Sequence, residues 1–382
     1  MSFLLSKTTV FEVLILFVWF FVLNIFFFPI LFLFILFVVY RKWSYSKLPY
    51  SKQLTSHTMK AAHFTGDLVQ FEQCNIPRIK SNQLLIKVIA AAINPIDYKF
   101  KLEKIPFLRW LHEHYGIGFD FCGRVIDIGS KVTKFKVGDE IVGKSLDGSW
   151  QELTICNENH AFLKPKNLSH TQAASLFLAG LTSLQSLNFY GSLEGKNVLI
   201  IGASGGTGHL GVQIAKYLKA KTVVGVCSSK NSEFVKSIGA DMVLEYDKEN
   251  YMKSIGDLKF DLIYDTVTNI LNTKPYDVYI PLLAQNGKYV AINGKGKLKM
   301  LRAILTQKIG FLKQFGNENE HFLLLNNNKA EDVELLHKMA EEGKLVPTVE
   351  EYDFDKKSIN SAFEHLKSHR VRGKLAIIIN SK

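Results

Sequence analysis

Residues 197–217 read NVLIIGASGGTGHLGVQIAKY. A buried strand from Asn197 to Ile201 runs into a glycine-rich turn, and the turn opens a segment with helical spacing of apolar residues. A helix that begins there offers backbone N–H groups and its positive dipole end to a pyrophosphate, and small residues allow close approach. This order predicts a dinucleotide-binding turn. Its candidate contacts are Ala203, which stands where the usual fingerprint has its first glycine, and Ser204, Gly205, Gly206, Thr207 and Gly208.

Further short apolar segments follow this turn and predict the rest of a sheet. They span residues 222–226, 241–244, 261–265 and 288–292, with helix-like stretches between them. Strands that alternate with helices are typical of an α/β fold with a doubly wound parallel sheet and crossover helices. We therefore assign residues 170–328 to a nucleotide-binding domain.

The end of the second predicted strand decides between the two nicotinamide cofactors. A domain that binds NAD usually carries an acid about 20 residues after the glycine turn, where it bonds the ribose 2′-OH. Here Cys227 leads instead into Ser228, Ser229 and Lys230. A carboxylate would repel a 2′-phosphate, whereas hydroxyls and an ammonium accept it. The sequence predicts NADPH rather than NADH, with Ser228 and Lys230 as contacts.

The sequence before this domain has a different pattern. Residues 57–169 show short apolar alternations punctuated by glycine, which predict a β-rich, barrel-like domain. Further towards the N-terminus, residues 13–40 form a run of 28 residues without a charge. A cleavable signal has an apolar region of roughly 7–15 residues, so this longer run predicts a membrane segment.

The membrane segment leaves two arrangements open. A single helix of this length must tilt or kink, because it exceeds the bilayer thickness of about 30 Å. A hairpin turning at Asn24 to Pro29 is the alternative. A basic linker up to residue 56 carries Arg41, Lys42 and two lysines, which predicts a large domain in the cytosol. The expected site of attachment is the endoplasmic reticulum or a lipid droplet rather than the mitochondrial outer membrane.

Charge and cysteine content exclude other classes. Four basic residues of this linker account for a third of the formal net charge of +12, so the remainder does not require nucleic acid as a partner. The cysteines are scattered, without CxxC spacing, which argues against a disulfide framework or a structural zinc. They are Cys74, Cys122, Cys156 and Cys227.

Five motifs in order resemble one family over about residues 59–380. They are NPIDYK at 94–99, GFDFCG at 118–123, VGDEIVG at 137–143, AGLTSLQ at 179–185 and GGTG at 205–208. The sequence is similar to medium-chain dehydrogenases/reductases, and most to the quinone oxidoreductase branch with zeta-crystallin and the reticulon-interacting protein. The resemblance implies a GroES-like catalytic domain, 57–169 completed by 329–382, around a Rossmann domain, and a homodimer.

Zinc-dependent members of that family carry a catalytic cysteine, a Gly-His-Glu segment and a four-cysteine lobe. Here Asn94 to Tyr98 stand at the position of the cysteine, and Gly118-Phe119-Asp120 replaces Gly-His-Glu. The sequence therefore predicts no metal site and no Lewis-acid chemistry.

Without a metal, hydride would pass from the nicotinamide to a quinone or to the β-carbon of an α,β-unsaturated carbonyl, and protein donors would stabilise the developing oxygen charge. Asn94, Tyr98 and Lys99 are the candidate donors. The resemblance further implies that Thr182 contacts the nicotinamide, Tyr246 flanks the adenine, and Arg372 and Lys374 reach the 2′-phosphate. The expectation is a membrane-anchored, zinc-independent NADPH oxidoreductase acting on a lipid-soluble substrate. A catalytically weak NADPH-binding scaffold or sensor at the membrane is the alternative.

Overall fold

The computed structural model describes residues 56–99, 116–267, 278–292, 320–322 and 329–380, together with scattered positions between 29 and 54. Strands are numbered in chain order: β1 (Thr58–Thr65), β2 (Leu68–Asn75), β3 (Gln83–Ile93), β4 (Asp120–Ile128), β5 (Glu140–Lys144), β6 (Leu153–Asn157), β7 (Ala161–Leu163), β8 (Asn197–Ile201), β9 (Thr222–Cys227), β10 (Met242–Glu245), β11 (Phe260–Asp265), β12 (Leu283–Ala291), β13 (Glu320–Phe322), β14 (Val349–Asp353) and β15 (Lys374–Ile378). The α-helices are α1 (Pro95–Lys99), α2 (His170–Ala174), α3 (Phe177–Asn188), α4 (Gly208–Tyr217), α5 (Ser232–Ser237), α6 (Ala330–Glu341) and α7 (Lys356–Lys367).

The parallel sheet has the order β10-β9-β8-β11-β12-β13, and every pairing in it is parallel. Its central strands are buried on both faces, as expected where crossover helices cover a sheet. Strand β8 has the predicted bounds, whereas β12 begins five residues before its predicted start. The order changes direction between β8 and β11, and ligands of doubly wound sheets bind beyond the carboxyl ends of the strands at such a point.

The β-rich part is a second sheet of the order β14-β15-β3-β4-β5-β7, in which β6 also pairs with β3. Strand β1 and β2 form a separate hairpin. An aromatic cluster fills this region: the rings of Trp150 and Phe363 lie 5.1 Å apart, and Phe64 lies 5.5 Å from Phe363. Because Phe363 belongs to α7, the C-terminal part of the chain packs onto residues that lie more than 200 positions earlier in the sequence. The barrel-like sheet and the parallel sheet confirm the two-domain part of the predicted fold class.

The predicted membrane segment, residues 13–40, lies largely outside the described residues. Those of its side chains that are described face solvent, with Phe32, Leu33 and Phe37 exposed to 61, 64 and 56%. Within the part of the chain that the structure describes, no helix combines the length and the apolar character needed to cross a bilayer.

Candidate cofactor and active site

The glycine turn joins β8 to α4 and is fixed by its backbone. Gly202 has φ +78°, and a Cβ there would lie 2.4 Å from Val267. A Cβ on Gly208 would lie 2.0 Å from the carbonyl oxygen of Gly202, so only glycine fits at the start of the helix. Thr207 makes no side-chain cap hydrogen bond, which leaves the first turn of α4 without a side-chain acceptor.

Gly205 differs from these two glycines. A Cβ there would meet only the carbonyl oxygen of Gly202, at 3.4 Å, which is ordinary van der Waals contact. Packing therefore does not require glycine at this position. The room above Gly205, at the N-terminal end of α4, fits the close approach of a pyrophosphate.

The segment after β9 lies against this turn. Asn231 donates from Nδ2 to the Ser204 hydroxyl at 3.2 Å and to the Ser228 hydroxyl at 3.3 Å. Ser228 is buried, whereas Lys230 is exposed and its ammonium can reach an anion. Asp247 accepts hydrogen bonds from the Ser229 backbone and hydroxyl at 2.8 and 2.9 Å. The sequence analysis missed Asn231 and Asp247, because neither stands in a motif.

Tyr246 and the loop before β15 lie on the same side. The Tyr246 backbone N–H donates to Cys227 at the end of β9, and Arg370 donates to the Tyr246 hydroxyl at 3.4 Å. The Arg372 guanidinium lies 5.3 Å from the ring centre of Phe234, on the helix that follows Lys230. Tyr246 and Arg372 are thus brought to the segment after β9, and Arg370 joins them as a residue that the sequence analysis did not select.

Lys374 was predicted to reach the 2′-phosphate, and this prediction is wrong. The residue is 4% exposed, and its ammonium donates to the carbonyl oxygen of Ile93 at 3.0 Å and to Oδ1 of Asn94. The physical reason is the pairing of β15 with β3, which turns the Lys374 side chain inward beneath the end of β3. Both hydrogen bonds hold the ammonium at the end of β3, so its charge is used within the protein.

The buried polar group around Asn94 is here named the Asn94 corner and consists of Asn94, Asp97, Asp120 and Lys374. Asn94 is 3% exposed, and its Nδ2 donates to Oδ2 of Asp120 at 3.1 Å, which uses one of its two amide hydrogens. Its backbone N–H donates to Oδ2 of Asp97 at 2.6 Å. Burial raises the pKa of Asp120 to about 6, while Lys374 and the Asn94 amide oppose the rise. Of these four residues, Asn94 and Lys374 were predicted site residues, Lys374 in another role, and neither aspartate was.

The remaining candidates are placed less favourably for donating to a ligand. The Thr182 hydroxyl donates to the Leu178 carbonyl at 2.7 Å, which leaves it only acceptor capacity towards a nicotinamide amide. The Tyr98 ring packs edge-on against Phe363 at 6.1 Å and is partly buried. Burial raises the pKa of Tyr98, so the phenol keeps its proton at neutral pH. Lys99 ends α1, and its side chain lies outside the described residues.

No group of three His, Cys, Asp or Glu side chains among the described residues is placed to hold a metal ion. The donor set instead fits NADPH. The turn offers backbone groups for the pyrophosphate, Lys230 offers a cation beside the end of β9, and Asn94 retains an amide hydrogen.

Two family models match separate parts of the chain. Residues 80–167 match the alcohol dehydrogenase GroES-like domain, and residues 238–377 match the model described as zinc-binding dehydrogenase. A quinone oxidoreductase from Coxiella burnetii has the same fold, with a TM-score of 0.70 and 30% identity over 85% of this chain and 100% of its own.

Similar full-length proteins come from plants. The 2-methylene-furan-3-one reductase of Solanum lycopersicum is 32% identical over 344 residues, which cover 84% of this chain and 79% of that protein. The chloroplastic NADPH-dependent alkenal/one oxidoreductase of Arabidopsis thaliana is 31% identical over 318 residues, or 79% of this chain and 73% of that protein.

Proposed function

This chain belongs to the medium-chain dehydrogenase/reductase family, and from that premise we propose that it transfers hydride from NADPH to a quinone or an α,β-unsaturated carbonyl without a metal. The observation that carries the proposal is the glycine turn between β8 and α4, with an exposed Lys230 and no acid at the end of β9. The similar proteins named for reduction of quinones, alkenals and enones support the same reaction class.

The chain's own residues account for binding of the cofactor. Backbone groups at the start of α4 hold the pyrophosphate with help from the helix dipole. Lys230, with Ser228 behind it, receives the 2′-phosphate and makes the site prefer NADPH. The hydrogen bonds from Ser229 lower the pKa of Asp247, so its carboxylate stays ionised on this segment and its charge opposes that of Lys230.

Bound NADPH supplies the hydride at its nicotinamide C4. Negative charge then develops on the acceptor's oxygen, and a neutral donor in a water-poor site stabilises it. Asn94 has a second amide hydrogen for this purpose, and Tyr98, four residues further on, keeps its phenolic proton. We assign Asn94 to orientation of the nicotinamide and substrate, and Tyr98 to hydrogen bonding or protonation of the product oxygen.

A soluble form, residues 57–382, should oxidise NADPH with a panel of quinones and enones and bind NADPH at least tenfold more tightly than NADH. Lys230→Glu should reverse or abolish this preference, because a carboxylate beside the 2′-phosphate costs roughly 2 kcal/mol or more relative to an ammonium. Titration by nicotinamide fluorescence measures both affinities. Lys236→Glu, which alters an exposed lysine on the following helix, is the matched control. Equal NADPH affinity in wild type and Lys230→Glu would contradict the assignment, and NADPH binding without turnover would favour the scaffold function.

We further propose that the apolar N-terminal segment attaches the enzyme to a membrane with the catalytic domain in the cytosol. Phe32, Leu33 and Phe37 have exposed side chains in the described part of this segment, and an aqueous surface does not stabilise such a row. The basic residues after it attract anionic headgroups by about 1 kcal/mol each. A lipid-soluble quinone or enone would then meet the active site at high local concentration.

Carbonate extraction and protease protection of intact membranes test this attachment with the full chain. We expect the protein to stay with the membrane in carbonate and residues 57–382 to be cleaved by added protease. A protein that washes off, or a large domain that is protected, contradicts the proposal. Fractionation should compare endoplasmic reticulum and lipid droplets with mitochondria and plastids, since similar proteins are named as chloroplastic or mitochondrial. The homodimer stays a prediction from the family resemblance, for which light scattering of residues 57–382 is the measurement.

A further inference from the structure

Three ionisable side chains meet in the Asn94 corner, where α1, β4 and β15 come together. Asp97, Asp120 and Lys374 are 5, 0 and 4% exposed. Charged groups are rarely buried to this extent unless they are paired or used. Neither carboxylate belongs to the part of the site that the glycine turn explains.

The two opposite charges are joined through one amide. Lys374 donates from Nζ to Oδ1 of Asn94, and Asn94 donates from Nδ2 to Oδ2 of Asp120 at 3.1 Å. The ammonium and the carboxylate therefore hold opposite ends of the same side chain. This arrangement fixes both the rotamer of Asn94 and the direction of its amide, so that the remaining N–H points in one direction only.

Lys374 also lies against the cofactor turn. Its Cδ would be 3.2 Å from a Cβ on Gly206, and the neighbouring Gly373 donates its N–H to the Ser204 carbonyl at 2.8 Å. On the other side, Asp120 accepts through Oδ1 from the Leu178 N–H at 3.2 Å, in the first turn of the helix that carries Thr182. Asn94 is thus linked by hydrogen bonds through Asp120 to α3, and it is bonded to Lys374, whose side chain lies beside Gly206 and whose neighbour Gly373 is bonded to the turn.

Asp97 contacts the backbone of Asn94 rather than its amide. Burial raises the pKa of Asp97 well above its ordinary value, and repulsion from Asp120 adds to the rise. Its Oδ2 accepts from the Asn94 backbone N–H, whereas Oδ1 is buried without a hydrogen-bond partner among the described residues. Lys374 and Asp120 are therefore the two charged groups of the corner that contact the Asn94 side chain.

A buried ion pair is a weak source of stability. Replacing such a pair by neutral groups of similar volume is often neutral or stabilising, because the desolvation penalty disappears together with the attraction. A chain that needed only a stable core would gain from an apolar corner here. The cost of keeping both charges suggests that they act on the amide between them.

We propose that Lys374 and Asp120 are positioning residues that clamp the Asn94 amide against the cofactor turn, so that its second N–H meets the nicotinamide and the acceptor in a fixed geometry. The inference rests on the proposed function, since it assigns Asn94 to the reacting end of NADPH. Neither clamp residue touches the reacting atoms. Both act through Asn94.

The double variant Lys374→Met/Asp120→Asn removes both charges and keeps the side-chain volumes close to the original. We expect its melting temperature to lie within about 5 °C of wild type. With NADPH and a reactive enone we expect kcat to fall at least tenfold, the KM for NADPH to change less than threefold, and the deuterium isotope effect on kcat with 4-deuterated NADPH to rise. A purely structural role would alter melting without this split. The exposed pair in Lys216→Met/Asp241→Asn is the matched control, since its 2.9 Å contact lies on the surface.

A double variant with wild-type kcat and isotope effect would overturn the proposal. If the double variant does not fold, Asp120→Asn alone decides, with the same kcat decrease expected at unchanged NADPH KM and wild-type kcat overturning the clamp. If wild type turns over no acceptor, the proposed function fails and the clamp is tested by the fluorescence of bound NADPH. In that case a similar emission from wild type and double variant overturns it, and a loss of enhancement in the variant supports it.

Discussion

The glycine turn and the Asn94 corner meet at Lys374 but present their polar groups in opposite ways. The turn keeps backbone groups open at the start of α4 and needs glycine at positions 202 and 208 to do so. The corner encloses its charges and leaves one amide hydrogen on Asn94. An anion site can stay open, because water solvates exposed backbone N–H groups until the anion binds. A side chain that orients reacting groups works better when its neighbours fix its position.

The difference predicts unequal responses to substitution, and the turn gives the largest. Gly208→Ala places a Cβ 2.0 Å from the Gly202 carbonyl oxygen, and neither group can yield without a backbone shift. We expect a loss of at least about 3 kcal/mol in the free energy of unfolding and no measurable NADPH binding. Urea unfolding and fluorescence titration measure the two effects.

Gly205→Ala is the matched control for this substitution. Its Cβ makes only an ordinary contact, so stability should change by less than about 1 kcal/mol. NADPH affinity should still fall about tenfold, since the methyl group occupies the space of a pyrophosphate. Unchanged NADPH affinity in Gly205→Ala would mean that the phosphates bind elsewhere.

The same contrast explains what could be predicted from the sequence. Strand β8, the turn and the residues after β9 are close together in the chain, and their meaning depends on spacing that a single sequence shows. The Asn94 corner joins Asn94 to Asp120 and Lys374 across 26 and 280 residues. Lys374 was misplaced because a lysine at the start of a strand gives no local sign of which way it points. For the same reason, the sequence could not show that Asp97 is buried or that the Thr182 hydroxyl forms its hydrogen bond within its own helix.

His209 connects the two regions, although its position in the sequence gives no sign of this role. The ring is fully buried, with Nδ1 2.8 Å from the Gly205 carbonyl oxygen. Nε2 accepts the backbone N–H of Thr348 at 3.2 Å, and Thr348 in turn accepts from the Lys374 backbone at 2.8 Å. Because Nε2 is an acceptor, Nδ1 carries the only ring proton, and the imidazole is neutral. The turn is therefore connected to β15, the strand that begins in the Asn94 corner.

Protonation of His209 would break this connection, and the expected loss of stability is smaller than that in Gly208→Ala. Burial, together with the positive charge of Lys374, lowers the pKa of His209 to about 4, although the hydrogen bond to the Gly205 carbonyl opposes the shift. The unfolded chain binds this proton near its ordinary pKa of about 6.5, so the unfolded state gains protons first as the solution is acidified. The stabilisation is fully present above about pH 6.5 and is lost as the pH falls towards 4. By pH 5 the loss from this residue amounts to about 2 kcal/mol.

The variant His209→Gln separates this contribution from those of other groups. It is less stable than wild type at pH 7, because the ring's two hydrogen bonds and its packing are lost, but its stability should fall less between pH 7 and pH 5. Asp120 and Asp147, whose pKa values burial raises to about 6, titrate in both proteins and cancel in the comparison. Urea unfolding of both proteins at the two pH values gives the difference in slope directly. The expected gap is about 2 kcal/mol in favour of the variant's flatter profile. Parallel profiles would show that His209 does not titrate in this range and that acid acts on the turn through another group.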